Sequence, residues 1–173
     1  MQGIRSVAHV LRVNHAGERG AICIYRAQIA VSRLLYPNCV GPLTEMLSHE
    51  RAHFQTFNEI LLARGIRGCR ALAFWAFGGW VLGILTALFG PRSIWVCTAA
   101  IEKTVGAHLE HQLAFLQQSD HEVLAAVQSI QKDEESHEAY ASAHGGRPSG
   151  PYAILWWLVA SATSFAIWLS THL

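Results

Sequence analysis

Glu18, Glu50 and His53 are repeated at unchanged spacing as Glu102, Glu134 and His137, each displaced by 84 residues (102 − 18, 134 − 50 and 137 − 53). A glutamate and a histidine three positions apart on a helix point the same way. Each set therefore supplies one helix with a lone carboxylate and a partner helix with a carboxylate and an imidazole. Four carboxylates and two imidazoles turned into a common interior make a six-ligand site for two metal ions.

Glu-x-x-His alone is a common surface pattern, but here six positions agree in a chain with 12 acidic residues and 10 histidines. Neighbours share the shift: Ala16 with Ala100, Arg19 with Lys103, Gln28 with Gln112. Two copies are too few for a stacked repeat array and suit a pseudo-twofold bundle. Hard carboxylates with two imidazoles and no thiolate favour iron or manganese over structural zinc. Two single glutamates and two Glu-x-x-His pairs on four helices is the layout of ferritin-like dinuclear carboxylate bundles. Two ferrous ions held this way can give electrons to dioxygen, either to hydroxylate an organic substrate or to oxidise stored iron.

The elements that must position these groups are helical. Residues near 4 to 35 carry helical periodicity and stop before Tyr36-Pro37-Asn38. Gly41-Pro42 is expected to open a second helix running to about Arg64, and Gly65 and Gly68 punctuate the next connection. Residues 71 to 89 are almost wholly apolar. Gly90-Pro91 ends that stretch and places proline at the start of a third bundle helix, to about Gln118. Ser119 with Glu122 resembles a capping box for a fourth, to about His144. Gly145 to Pro151 is a break, and a last helix over about 152–172 has no Lys, Arg, Asp or Glu.

Composition bounds the partners. The 173 residues suffice for one domain with a sizeable core. Net charge is +1 and the basic residues are scattered, which excludes nucleic acid as a partner. Hydrophobic residues make up 51% and charged residues only 14%, against roughly a quarter in soluble domains, so part of the surface is expected to meet lipid or an apolar ligand. Cys23, Cys39, Cys69 and Cys97 form no Cys-x-x-Cys pair and read as buried thiols in a reducing compartment. Helical pattern from about Ile4, with no apolar run before it, argues against export, and with no long Arg- and Ser-rich leader the expectation is a bacterial protein or an organellar one without its transit segment.

The two apolar stretches each approach the roughly 20 residues that span a bilayer. A single crossing by residues 71 to 89 would put the two halves of the metal set on opposite sides. A monotopic helical hairpin is preferred to a core segment, bent at Gly78-Gly79 and Gly83 with Trp75 and Trp80 at the headgroups. Arg64, Arg67, Arg70 and Arg92 are then available to anionic lipid. For the last helix three placements are open, spanning the bilayer, packing on the bundle or joining the hairpin, and Trp156, Trp157 and Trp168 are compatible with each.

At this point the chain resembles the demethoxyubiquinone hydroxylases of ubiquinone biosynthesis over nearly its whole length. Arg12-Val13-Asn14-His15-Ala16-Gly17-Glu18 is similar to that family's first-helix signature and Glu50-Arg51-Ala52-His53 to its second-helix pair. Ile101-Glu102 with His108 resembles its third-helix segment, and Asp133-Glu134-Glu135-Ser136-His137 its fourth. The resemblance implies one all-α, ferritin-like di-iron domain over 1–173, with a membrane-associating hairpin at about 71–90 and the apolar helix at about 152–172. It implies two iron ions on Glu18, Glu50, His53, Glu102, Glu134 and His137, with Glu18 and Glu102 expected to hold or bridge the metals and the other four to complete the site. Through those metals the six residues would be the catalytic set. Dioxygen would be the co-substrate and a polyprenylated quinol the substrate, hydroxylated at its unsubstituted ring carbon. With no Gly-x-Gly-x-x-Gly loop, electrons are expected from outside, as NADH or the reduced quinone. The resemblance further implies a peripheral protein on the cytoplasmic face of a bacterial inner membrane, or on the matrix face of the mitochondrial one. Other ubiquinone-biosynthesis proteins are compatible partners, as is a second copy of the chain.

Neighbouring groups divide by helix geometry. Tyr25, two turns after Glu18, is within reach of the site but reads better as a packed core tyrosine, and Leu109 holds the equivalent place after Glu102. His108 falls about 120 degrees off the Glu102 face, which makes it a supporting or surface group. His15 either supports Glu18 or caps the helix surface; His49, His111, His121, His144 and His172 read as solvated or structural. Glu135 with Glu138 is rejected as a ligand pair because it lacks histidine. The alternatives to a membrane-bound monooxygenase are a ferritin-like iron or peroxide handler at a membrane and a non-catalytic membrane bundle.

Overall fold

The structure is a computed structural model that describes residues 6–172. Among these are six α-helices, one π-helical turn and no strand: α1 Val7–Leu35, α2 Pro37–Ala63, α3 Leu72–Leu88, α4 Pro91–Ser119, α5 His121–Ala141 and α6 Tyr152–Ser170, the turn being Ser142–Gly146. The expected start near Ile4 lies outside the described residues. The first described turn is capped by Ser6, whose side chain accepts from the His9 amide at 3.2 Å.

Two boundaries differ from the sequence expectation. Helix α2 opens at Pro37 instead of Gly41-Pro42. Pro37 sits in the first turn, where its missing N–H costs nothing, while Pro42 lies inside the helix and forgoes one early bond to the Asn38 carbonyl. The cap of α5 is Asp120, not Ser119, which ends α4; the Asp120 carboxylate accepts from the Val123 amide at 3.1 Å. Asp120 also pairs with Arg64 at the end of α2, as does Glu122, so the Arg64 expected to face lipid links α2 to α5. Arg92 likewise donates to Ser149 and lies 4.3 Å from the centre of the Tyr152 ring.

Helices α1, α2, α4 and α5 form the bundle. Side-chain partners fix their directions: Asn14 with Gln112 and Tyr25 with Glu102 make α1 and α4 antiparallel, and His49 with His137 and His53 with Asp133 do the same for α2 and α5. Helices α2 and α4 then run the same way, so a connection as long as the bundle must join them. Helix α3 is that connection, and it is one continuous helix where a bent hairpin was expected.

Its glycines serve contact. A Cβ on Gly79 would stand 2.5 Å from the Gly20 carbonyl oxygen, and one on Gly83 would stand 2.5 Å from that of Ile24. With Gln28 donating to Thr86 at 3.1 Å, these contacts run α3 parallel to α1 at close backbone approach. Its other face stays exposed at Phe74, Phe77, Ile84, Leu85 and Leu88. Helix α6 packs against α4 through Val159, beside Cys97, Ala100 and Ile101. Each bundle pair thus carries one apolar helix on its first member. Helix α6 is long and apolar enough to cross a membrane, and only 11% of that segment is buried. All four cysteines are buried with free thiols.

Candidate metal centre

Two apolar tiers fill the bundle, one around Tyr25, Leu43, Met46, Ile94 and Trp95, the other around Leu11, Phe57, Leu109, Leu116 and Val127. Between them lies one polar layer. All six residues singled out by the repeat are in it, each no more than 5% exposed. Glu18, Glu50, His53 and Glu134 place one potential ligand atom each within 4.8 Å of the others, and so do Glu50, Glu102, Glu134 and His137. Glu50 and Glu134 belong to both clusters, Glu18 and Glu102 to one each.

The imidazoles are aimed. His53 Nδ1 is 3.5 Å from Glu134 Oε1 and 3.7 Å from Glu18 Oε2. His137 Nδ1 is 3.4 Å from Glu50 Oε1 and 3.8 Å from Glu134 Oε2. Both Nδ1 atoms, with Glu50 Oε1 and Glu134 Oε2, are buried without a hydrogen-bond partner. Such atoms are costly in a core unless something engages them.

Charge tells the same story. Burial, then the neighbouring carboxylates Glu18 and Glu102, push the Glu50 carboxyl well above its usual range; burial and Glu134 do so for Glu102. Glu134 rises to about 7 through burial and Glu50. Burial opposes a charge on His53, yet Glu134, Glu18 and Asp133 outweigh it and lift the imidazole to about 11. His137 falls to about 4 through burial, with His49 and His53 adding to it. Four carboxylates in one dry layer cannot all ionise without cations. Two divalent ions would balance them, and the orphaned oxygen and nitrogen atoms are the ones such ions could engage.

The structure adds residues to the layer that sequence reasoning placed elsewhere. The Tyr25 hydroxyl donates to Glu102 Oε1 at 2.5 Å, so this tyrosine reaches the site as well as packing the core. His49, read as solvated or structural, has its Nδ1 3.0 Å from His137 Nε2, with the rings stacked 5.2 Å apart. Asp133 Oδ2 is 2.9 Å from His53 Nε2. A signal for this pair was present, since His49 and Asp133 are also related by the 84-residue shift (133 − 49). His108 supports from one step back: it bonds Gln112 Nε2 at 2.8 Å, and Gln112 and Asn14 exchange two bonds of 2.8 and 3.0 Å. Burial lowers His108 to about 4, and His111 and His9 add to the shift. His15 is buried and stacks on Phe54 at 4.2 Å, and Glu138 accepts from Ser142.

Comparison with known proteins gives these residues a setting. A family model described as "Ubiquinone biosynthesis protein COQ7" matches residues 5–170, which include the whole polar layer. The NADPH-dependent 3-demethoxyubiquinone 3-hydroxylase, mitochondrial, of Mus musculus is 32% identical over 170 residues, covering 95% of this chain and 77% of that protein. The 3-demethoxyubiquinol 3-hydroxylase of Rhodospirillum rubrum is 32% identical over 160 residues, covering 92% and 75%. The 5-demethoxyubiquinone hydroxylase, mitochondrial, of Saccharomyces cerevisiae is 29% identical over 174 residues, covering 92% and 75%.

Proposed function

The chain belongs to the ubiquinone biosynthesis protein COQ7 family, and from that membership we propose that it hydroxylates the ring of a demethoxyubiquinol precursor as a di-iron monooxygenase. The observation that carries the reading is the buried layer of four carboxylates and two imidazoles with unengaged ligand atoms. Glu50 and Glu134, common to both clusters, would serve both metal positions, with Glu18 and His53 holding one ion and Glu102 and His137 the other. Two bound iron ions would bind dioxygen and relay two electrons delivered from outside, so that with two protons one oxygen atom enters a ring C–H bond and the other leaves as water.

The chain's own part is positioning and exclusion. The apolar tiers above and below keep bulk water from the layer. Tyr25 holds one oxygen of Glu102, and Asp133 and His49 hold the imidazoles by their outer nitrogens. Electrons come from outside: the names of several relatives specify NADPH, and NADH or the reduced quinone are the other sources the chain's lack of a nucleotide-binding loop leaves open. The outward apolar faces of α3 and α6 rest on the membrane that dissolves the polyprenyl tail, which makes the protein peripheral on a cytoplasmic or matrix face. An iron store would need a hydrophilic shell where these helices expose Phe and Trp.

The test is a single turnover. Ferrous-loaded protein is given a short-tailed demethoxyubiquinol and isotopically labelled dioxygen, and the product is weighed by mass spectrometry. One labelled ring hydroxyl is the expected result. Iron oxidation with the quinol unchanged, reductant present, would transfer the case to iron handling.

A further inference from the structure

The six inward residues keep their types under the 84-residue repeat, whereas the groups behind them hold matching positions but differ in type. Behind His53 stands the carboxylate of Asp133, 2.9 Å from Nε2; behind His137 stands the imidazole of His49, 3.0 Å from Nε2. With each Nδ1 turned to the carboxylate layer and engaged by a metal ion, each Nε2 would carry the proton and donate it outward, to a carboxylate oxygen in one half and to an imidazole nitrogen in the other. A second difference points the same way. Glu102 gives one oxygen to the Tyr25 hydroxyl at 2.5 Å, whereas the repeat places Leu109, an apolar core residue, where a tyrosine would serve Glu18.

We propose that His49 is a positioning residue for His137, and that the pairs His53–Asp133 and His137–His49 make the two metal positions inequivalent, the one formed by Glu18 and His53 being the tighter. An imidazole donating to a carboxylate becomes more electron-rich and a stronger ligand. Donation to an imidazole nitrogen of His49 orients the His137 ring without that gain. The Tyr25 bond draws electron density from Glu102, so the weaker imidazole and the weaker carboxylate fall on the same metal. The second position therefore fills last, empties first and holds the more readily reduced ion. This rests on the reading of the six residues as ligands of two metals, and the experiment separates the two claims.

Full-length protein in detergent is stripped of metal and titrated without oxygen with Co2+, followed by calorimetry and visible absorption. Two steps are expected, with Kd values at least about tenfold apart. His49→Asp brings the weaker step to within about threefold of the tighter one, while His49→Asn, which offers an uncharged acceptor, preserves the gap. Asp133→Asn weakens the tighter step instead. Mössbauer spectra of ferrous samples give the readout that a merely structural role would not move. One iron per chain gives one quadrupole doublet, two give a second, and His49→Asp shifts only the second. Two ions binding with equal affinity, or a folded His49→Asp protein with an unchanged gap, overturns the inference and leaves the metal reading standing. Failure of the wild-type protein to bind Co2+ overturns both.

Discussion

Helices α1, α2, α4 and α5 turn charged residues inward, while α3 and α6, which contain no Asp, Glu, Lys or Arg, turn Phe74, Phe77, Leu88, Trp157 and Phe165 outward. Both choices reverse what burial energetics favours in a soluble bundle, and they reverse it for different reasons. A buried carboxylate layer is unstable by itself and becomes stable when cations fill it. An exposed aromatic face is unstable in water and becomes stable against lipid. On the proposed reading the two regions take different partners, cations and lipid, and each can be disturbed without the other.

The largest expected effect is at the layer. Glu50→Ala removes a residue common to both clusters, so bound iron and hydroxylation are both lost; unchanged iron content by elemental analysis would end the ligand assignment. Vesicle binding of that variant stays as in the wild type.

On the outer face, replacing Trp157 and Trp168 by serine forfeits about 1.5–3 kcal/mol of apolar transfer for each ring that enters lipid. Sedimentation with liposomes is expected to fall by more than about tenfold, with Co2+ uptake intact. Equal sedimentation would remove α6 from the membrane contact.

Between the regions lies the α1–α3 seam. Gly83→Val drives a side chain into the Ile24 carbonyl oxygen and the Ala27 Cβ, 2.5 and 2.7 Å from the first added carbon. A loss of about 1–3 kcal/mol is expected in denaturant melts.

Acidity distinguishes the layer from everything around it. Glu50, Glu102 and Glu134 have folded pKa values above the ordinary 4.5, that of Glu134 about 7. Their contribution is therefore fully present below 4.5 and is lost as pH rises through those values. His137, lowered to about 4, acts oppositely, gaining stability for the fold as pH climbs towards 6.5. Three carboxylates outweigh one imidazole, and His53, raised to about 11, adds its own loss at higher pH. The metal-free protein should lose Tm from about pH 5 to about 8, and metal loading should flatten that slope; a metal-free Tm that rises across this interval contradicts the account.

The smallest effect is outside both regions. Arg64→Ala breaks the exposed links to Asp120 and Glu122 and should cost about 0.5 kcal/mol at neutral pH. Asp120 has a lowered pKa because Arg64 bonds it, so the stability is present above its ordinary 3.8 and is lost as pH falls through the lowered value. The difference between wild type and variant should vanish in acid.

Much of this was legible in the chain because a shared helix face is a matter of residue type and period. Three-residue spacing on a helix puts Glu50 with His53 and Glu134 with His137 on one face, and the 84-residue shift pairs the two faces without any coordinates. Helix ends at Tyr36-Pro37 and Gly90-Pro91 are likewise local, since proline lacks an N–H and fixes φ. The capping residue and the start of α2 were misplaced by one and about four residues, because several polar or proline residues in a row each satisfy the local rule and packing selects among them.

The sequence by itself determined the all-helical class, the six inward residues and the two apolar helices. Only the tertiary structure decided that α3 is a straight crossover, because Gly79 and Gly83 read equally as a bend or as a close seam until α1 lies against them. It alone decided that Glu50 and Glu134 belong to both clusters and that Tyr25 reaches Glu102. It also set His49 and Asp133 behind opposite histidines. Periodicity fixes the face on which a side chain stands, but the atom it meets belongs to a helix 77 to 88 residues away, and that distance is closed only by packing.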